Sequence, residues 1–231
     1  MRSQKHFPNS KISSILIDLL LTFIGVLAAL GVDNFRESQV ENSREKEYLE
    51  AFKAALQSDT TTINTELERC FLKLNAAGKF IDVIEKRDSS SNEELEQATQ
   101  SILMLIDPVY NTAPYEDIKS TGSSRIIQNI ELRNAIILHY TYLSKLAALQ
   151  QSSIPNISYS KVFTDQFDYD EFVLPQGMSY SKIISRLRSD QAARLYLTRL
   201  QKEMIIYRNS LLYSALPRTL WLLEKVDIEL R

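Results

Sequence analysis

"KISSILIDLLLTFIGVLAALGVDNF", Lys11 to Phe35, decides how the rest of the chain is read. Ile12 to Val32 is 21 residues, of which four are polar: Ser13, Ser14, Asp18 and Thr22. About 20 apolar residues in a helix cross a hydrocarbon core of about 30 Å, so 12–32 is expected to be a transmembrane helix. A cleavable leader is the rival reading, and Ala29-Leu30-Gly31 supplies small residues at a cleavage spacing. Leader cores run to about 7–15 residues and need no internal acid, which favours a retained anchor.

The acid inside this segment is not placed at random. Ser14, Asp18, Thr22, Gly25 and Ala29 follow steps of 4, 4, 3 and 4, so on a helix they form one stripe. The remaining faces carry Ile, Leu, Val and Phe. A mid-span acid costs about 2.5–3.5 kcal/mol on insertion scales. Asp18 lies six residues in from Ile12, roughly 9 Å of helix rise, and its short side chain reaches the surface poorly. Small residues let helices approach closely, and polar ones bond across a membrane interface. The stripe therefore predicts that this helix faces another, from a second copy or a partner membrane protein.

Orientation follows from the flanks. Residues 1–11 carry Arg2, Lys5 and Lys11 and no acid, whereas 33–47 carry three basic and five acidic residues. By density of Lys and Arg this favours a cytoplasmic basic arm (1–11), with 33–231 outside the cytoplasm.

Downstream of the span, Asn34 to about Lys86 contains no Pro and only Gly78. "RESQVENSREKE" is almost wholly polar and reads as a solvated stalk (33–47) continuing the same helix into a bundle (48–231). Leu49, Phe52, Leu56, Ile63, Leu67, Cys70, Leu74, Ala77, Ile81 and Ile84 recur mostly at three and four, the spacing of an amphipathic helix. "RDSSSN" (87–92) ends it, and Asn92 ahead of Glu93 and Glu94 is a cap for a helix to about Ile106. Pro114 suits a first helical turn, Gly122 a helix end, and Asn129 a cap for Ile130 to about Gln151. Residues 152–178 read as a loop holding at most one short helix. The last segment, Asp190 to Arg231, buries one face from Ala193 through Leu197, Leu200, Met204, Tyr207, Leu211, Ala215, Leu222 and Val226 to Leu230, with Pro217 kinking it. The two long helices match in length. The fold class is all-α: an N-terminal transmembrane helix running into a long helix, with an antiparallel helical bundle as the ectodomain.

Composition narrows function by exclusion. With 27 Lys and Arg against 29 Asp and Glu the chain has no basic excess, so no nucleic-acid partner is expected. The lone Cys70 makes no intramolecular disulfide and reads as a buried thiol. Of two histidines, His6 lies on the N-terminal arm and His139 in an Ile/Leu/Tyr helix, a structural position. Zinc-type spacing, a phosphate loop and a nucleophile elbow are all missing from the sequence, and neither a cofactor nor an enzymatic reaction is expected. No small-molecule substrate is evident, although tyrosines cluster in "DPVYNTAPY", "HYTY" and "FDYDEF".

Two motifs carry a resemblance. The first is Asp18, then Ile24, Gly25, Leu27, Ala29 and Leu30, then Asn34-Phe35, Glu37 and Glu47-Tyr48-Leu49. The second is "YEDIKSTG", with Tyr115, Glu116 and Gly122, followed by Glu131-Leu132-Arg133. Together they resemble an uncharacterised bacterial family of small single-span membrane proteins. The family pattern has a carboxylate in the span, I-G-x-L-x-A-L, N-W or N-F, and E-Y-L, then Y-E-x-L-K-S-x-G and E-L-R. Departures are Asp33, Phe35 and Gly31, where Asn, Trp and Gln are more usual. The resemblance implies a helical ectodomain anchored in the bacterial cytoplasmic membrane, and no activity.

Three functions fit these residues. The first is a structural or interaction protein assembled through its span. The second is an ion-coupled energy-transducer subunit. Its outline is similar to that of proton-motor stator and transducer chains, with a basic arm, a span bearing an acid and an external domain. The external part nevertheless lacks likeness to their peptidoglycan-binding domains. The third is a sensor with a ligand pocket near Tyr110, Tyr115 and His139.

Overall fold

The structure is a computed structural model that describes residues 9–153, 163, 165–167 and 180–231. Side chains are described for 19–122, 125–149, 163, 165–166 and 180–231. Among these residues the chain is all-helical, without strands. It divides into two compact units, the first ending at Tyr48 and the second running Leu49–Arg231.

The first helix, α1, runs Asn9–Ile84, 76 residues. In the first unit its apolar stretch from Leu19 is long and apolar enough to cross a membrane, and the chain itself buries none of that stretch. Leu19, Phe23, Leu27 and Leu30 are each more than half exposed.

In the second unit α1 becomes a core helix. Its buried positions form two lines, each with a step of seven: Leu49, Leu56, Ile63, Cys70, Ala77 and Ile84, and Phe52, Asp59, Glu66, Lys73 and Phe80. Offset by three and four, these lines make the seam of a heptad pattern. The predicted inner residues Leu67, Leu74 and Ile81 are half-buried flank positions, one residue beyond Glu66, Lys73 and Phe80. The difference arises because polar side chains occupy the middle of the second line. The helix closes with a Schellman turn: Arg87 N–H donates to the Asp82 carbonyl (2.8 Å) and Lys86 N–H to Val83 (3.2 Å). Lys86 stands where Gly is usual, at φ 60°. The end carbonyls of Val83 and Ile84 accept from the Arg188 guanidinium at 2.8 and 3.0 Å.

Helix α2 (Asn92–Leu103) starts at Ser91, which forms a capping box with Glu94. Asn92, the predicted cap, is instead the first helical residue, and its side-chain oxygen accepts from the Tyr180 N–H. The helix stops at Leu103 rather than Ile106, because Met104 turns extended (ψ 131°) ahead of Pro108. Helix α3 (Ala113–Thr121) has Pro114 in its first turn and ends on Gly122 at φ 67°. Helix α4 (Ile130–Ser153) is capped by Asn129, whose Oδ1 accepts from the Leu132 N–H.

Most of 152–178 lies outside the described residues. Helix α5 (Tyr180–Ser189) is a further element that the sequence reading passed over; it buries Tyr180, Ile183, Ile184 and Leu187. Helix α6 (Gln191–Ser210) begins on Asp190, whose Oδ1 accepts from Ala192 and Ala193. A π-helical turn, Leu211–Ala215, joins it to α7 (Leu216–Glu229). The expected effect of Pro217 takes this form, and the Leu216 N–H reaches back to the Leu211 carbonyl. The inserted residue holds Tyr207, Leu211, Ala215 and Thr219 on one buried line despite four-residue steps. Leu230, predicted to be inside, is only half-buried.

The long helices run antiparallel. Lys53 pairs with Asp227 (2.7 Å), a Cβ at Gly78 would meet Gln201, and Ile84 meets Arg188. Helix α2 packs along the later turns of this part of α1, through Lys79–Glu94 (3.1 Å) and Lys73–Ile102 (2.8 Å). Helix α4 lies against α6 and α7, joined by Asn129–Glu229 (2.9 Å) and by the Tyr142 hydroxyl on the Ser210 carbonyl (3.3 Å). Its Tyr140 ring meets Phe52 of α1.

Candidate functional site

Backbone at Ser14 and Asp18 is helical, but their side chains lie outside the described residues. Thr22, Gly25 and Ala29 are exposed, and a Cβ at Gly25 would meet nothing within 4 Å. An open, almost wholly apolar groove of about 550 Å³ flanks Thr22, lined by Leu19, Leu20, Phe23 and Val26. In the N-F…E…EYL motif, Asn34, Phe35 and Glu37 are exposed, Tyr48 is half-buried and Leu49 is in the core.

The second motif builds a corner. Tyr115 stacks on Tyr140 (5.4 Å, 14°), while Glu116 faces solvent near Lys119 (3.6 Å). Gly122 supplies the left-handed turn, and a short 3₁₀ segment (Ser123–Ile126) leads on. Glu131 is exposed, Leu132 enters the core, and Arg133 Nη1 donates to the Ile127 carbonyl at 3.4 Å. These residues have structural work in turning the chain from α3 to α4.

The strongest electrostatic anomaly is one the sequence reading did not single out. Between Phe52 and Phe80 the inner line of α1 carries Asp59, Glu66 and Lys73, of which Asp59 is 0% and Glu66 2% exposed. Buried ionisable groups are costly unless each finds a partner. Theirs come mainly from Ile102 in the last turn of α2 and from the strap 104–112, the non-helical segment that links α2 to α3. Asp59 Oδ1 accepts from the Asn111 N–H at 2.6 Å, and Lys73 Nζ donates to the Ile102 carbonyl at 2.8 Å. Thr62 Oγ1 donates to the Val109 carbonyl at 3.4 Å. Ile106, Pro108 and Tyr110 of this strap are buried. The strap is thus laced to α1 by backbone–side-chain bonds.

Satisfaction is incomplete. Asp59 Oδ2 and Glu66 Oε2 have no hydrogen-bond partner, nor do the hydroxyls of Tyr110, Tyr140 and Tyr207 or either ring nitrogen of His139. Burial pushes Asp59 up from 3.8 to about 6, against the Asn111 N–H and the Tyr140 hydroxyl, which pull it down. The Tyr140 hydroxyl exerts this pull while falling short of hydrogen-bond geometry. Burial likewise raises Glu66, although Arg69 pairs with its Oε1 at 2.9 Å. Lys73 falls to about 8, mainly through burial, and Cys70, buried beside it, rises to about 12 for the same reason. His139 drops to about 4 through burial and then through Arg218, and its ring stands edge-on to Tyr140.

This is an inert core thiol and a neutral core histidine. Among the described residues no group of three His, Cys, Asp or Glu is placed to hold a metal ion. Tyr115 and His139, two of the three residues around the expected pocket, both pack directly on the Tyr140 ring. The missed line has one legible signal: the strict step of seven from Phe52 to Phe80, which a search for apolar letters alone passes over.

Comparison with family models, with curated proteins and with solved structures finds no match to this chain.

Proposed function

We propose that this chain is a single-pass, membrane-anchored interaction protein. Residues 12–32 cross the bacterial cytoplasmic membrane, and the stripe Ser14, Asp18, Thr22, Gly25 and Ala29 packs against a second copy or a partner's helix. The bundle serves outside the cytoplasm as the scaffold. The observation that supports this reading is the exposure of the apolar part of α1: the large apolar side chains from Leu19 to Val32 are 51–67% exposed. Such a surface needs lipid or another helix.

The test begins with membranes carrying the full chain. Alkaline carbonate should leave the protein in the membrane fraction, as expected for a spanning helix. In a Cys70→Ala background, Thr22→Cys, Gly25→Cys and Ala29→Cys should crosslink to a neighbour. Leu20→Cys and Leu27→Cys, on the opposite face, should not. Release by carbonate removes the anchor reading. Equal crosslinking on both faces removes the stripe reading and leaves the anchor.

A further inference from the structure

The outer side of α6 and α7 carries a line of exposed apolar side chains. Ile206 and Tyr213, seven residues apart, are 67% and 72% exposed. Across the π-turn, Leu220 and Trp221, about half exposed, straddle the continuation of the same line, because the inserted residue restores the helical phase. Ile205 and Leu212 widen the line along one side. Together these six side chains show on the order of 700 Å² of mostly apolar surface. A standard protein interface takes about 800 Å² from each partner, and the largest patch of a typical monomer is about 300–600 Å². The described residues of the α4–α5 connection lie elsewhere: Phe163 meets Phe80 and Tyr196, and Gln166 donates to Asp190 at the start of α6.

Charge indicates what fits this face. Lys202 lies one turn before Ile206 and Glu224 one turn beyond Leu220, and both are exposed. Each is 11 residues from Tyr213, just as Ile206 and Leu220 are each seven from it. Nearby Arg199 and Asp227 are already held, by Glu203 at 2.6 Å and by Lys53 at 2.7 Å. Turned end for end about Tyr213, the stripe complements itself: Lys202 meets Glu224 twice and Ile206 meets Leu220 twice. Laid in the same direction it would set lysine on lysine and glutamate on glutamate. A lipid surface, the rival occupant, calls for a basic excess, whereas this stripe ends in one charge of each sign. Exposed ion pairs add little energy, so the apolar side chains supply affinity and the charges set direction.

We propose that this face binds a second copy of the chain, with the two stripes antiparallel and the two-fold axis at Tyr213. The surface lies wholly within Leu49–Arg231 and does not rest on the membrane reading.

The experiment uses the full chain in detergent micelles, where a shared bilayer imposes no direction on the two copies. In a Cys70→Ala background, differently tagged Lys202→Cys and Glu224→Cys chains are mixed and treated with a short bismaleimide. The mixed pair should crosslink at least fivefold more than either chain with itself, and Tyr213→Cys, at the axis, should crosslink to its own copy. Self-association through the span does not select among these pairs. Dilution should expose Trp221 to iodide quenching. Lys202→Glu should weaken the dimer at least fivefold in that assay, and adding Glu224→Lys should restore it. All three positions are exposed, and circular dichroism should stay unchanged. Mixed and self crosslinking of equal yield, an unlinked Tyr213→Cys, or failure of the charge swap to restore the dimer overturns the proposal. An unlinked face whose Trp221 emission shifts blue on adding phosphatidylglycerol vesicles overturns it in favour of lipid.

Discussion

Replacing Asp59 by Asn should make the bundle more stable at neutral pH and leave it little changed in acid. The carboxylate is fully buried, and burial lifts it from 3.8 to about 6. The folded state therefore keeps a proton between those values that the unfolded chain releases. The stability linked to this proton is fully present below about pH 4 and is lost as pH rises through 6. A shift of about two units at roughly 1.4 kcal/mol each sets a ceiling of about 3 kcal/mol above pH 7. Asn is the neutral isostere. Its Oδ1 can still accept from the Asn111 N–H, held at 2.6 Å by the acid, and its Nδ2 offers hydrogens to the Tyr140 hydroxyl, which has no partner.

The measurement is urea unfolding of the full chain in micelles from pH 4 to 8, followed by the fluorescence of Trp221, the single tryptophan. Wild type alone would mislead. His139, lowered to about 4, contributes stability that is present above its unfolded value of 6.5 and lost as pH falls toward 4. Over pH 4–6 the two groups act in opposite senses and flatten the wild-type curve. The difference between variant and wild type cancels His139 and should climb from near zero at pH 4 to a plateau of about 1–3 kcal/mol above pH 7. A difference independent of pH, or a variant less stable at pH 7.5, refutes the reasoning.

Other outcomes follow from single contacts. Lys86→Gly should stabilise by about 1 kcal/mol in the same urea assay, because the left-handed turn at φ 60° costs a side chain about that much. Gly78→Ala should stabilise by about 0.5–1 kcal/mol from helix propensity. The new Cβ meets only the flexible end of Gln201 at 3.2 Å, and destabilisation would show that Gln201 cannot yield. Phe80→Ala should cost about 3–5 kcal/mol, since this fully buried ring meets Phe163 edge-on at 5.3 Å. Cys70 should react with a thiol reagent at pH 8 only after urea unfolding, because burial removes both access and thiolate; labelling of the native chain would contradict its placement.

The all-helical class and the antiparallel long pair are legible because they rest on period and punctuation. Gly122, Asn129 and Asp190 act through backbone geometry or caps, which neighbours in sequence decide. Ser91 against Asn92 is a one-residue choice that sequence leaves open, since both are good caps and Glu94 completes the box only with Ser91. Helix α5 was hidden because a ten-residue helix gives barely three turns of pattern, and its polar letters match those of a loop. The π-turn shares its signal, Pro217, with an ordinary kink. The inner line of α1 was hidden most completely. Asp59, Glu66 and Lys73 look like solvated letters until the strap supplies their partners from 29 to 52 residues away.

That line also explains why the strap holds its place without helix or strand of its own. An apolar heptad line would bind an extended segment wherever apolar side chains met it, since hydrophobic contact has no direction. Here the two ends are specified. Lys73 needs an acceptor for its ammonium and Asp59 a donor for its carboxylate; the Ile102 carbonyl and the Asn111 N–H present these nine residues apart, against 14 residues of α1. An extended chain covers about 3.3 Å per residue and a helix about 1.5 Å. With Ile102 and Leu103 still helical, the eight residues from 104 to 111 could reach roughly 26 Å, whereas 14 helical residues span roughly 21 Å. The strap therefore has slack between the fixed ends, and a groove lined by Asp107 and Val109 lies there, with the Val109 carbonyl itself tied to Thr62 at 3.4 Å. Such buried charges add little net stability, because desolvation offsets what the bonds return. Their contribution is register: a strap shifted by one residue would leave an ammonium or a carboxylate buried without its partner.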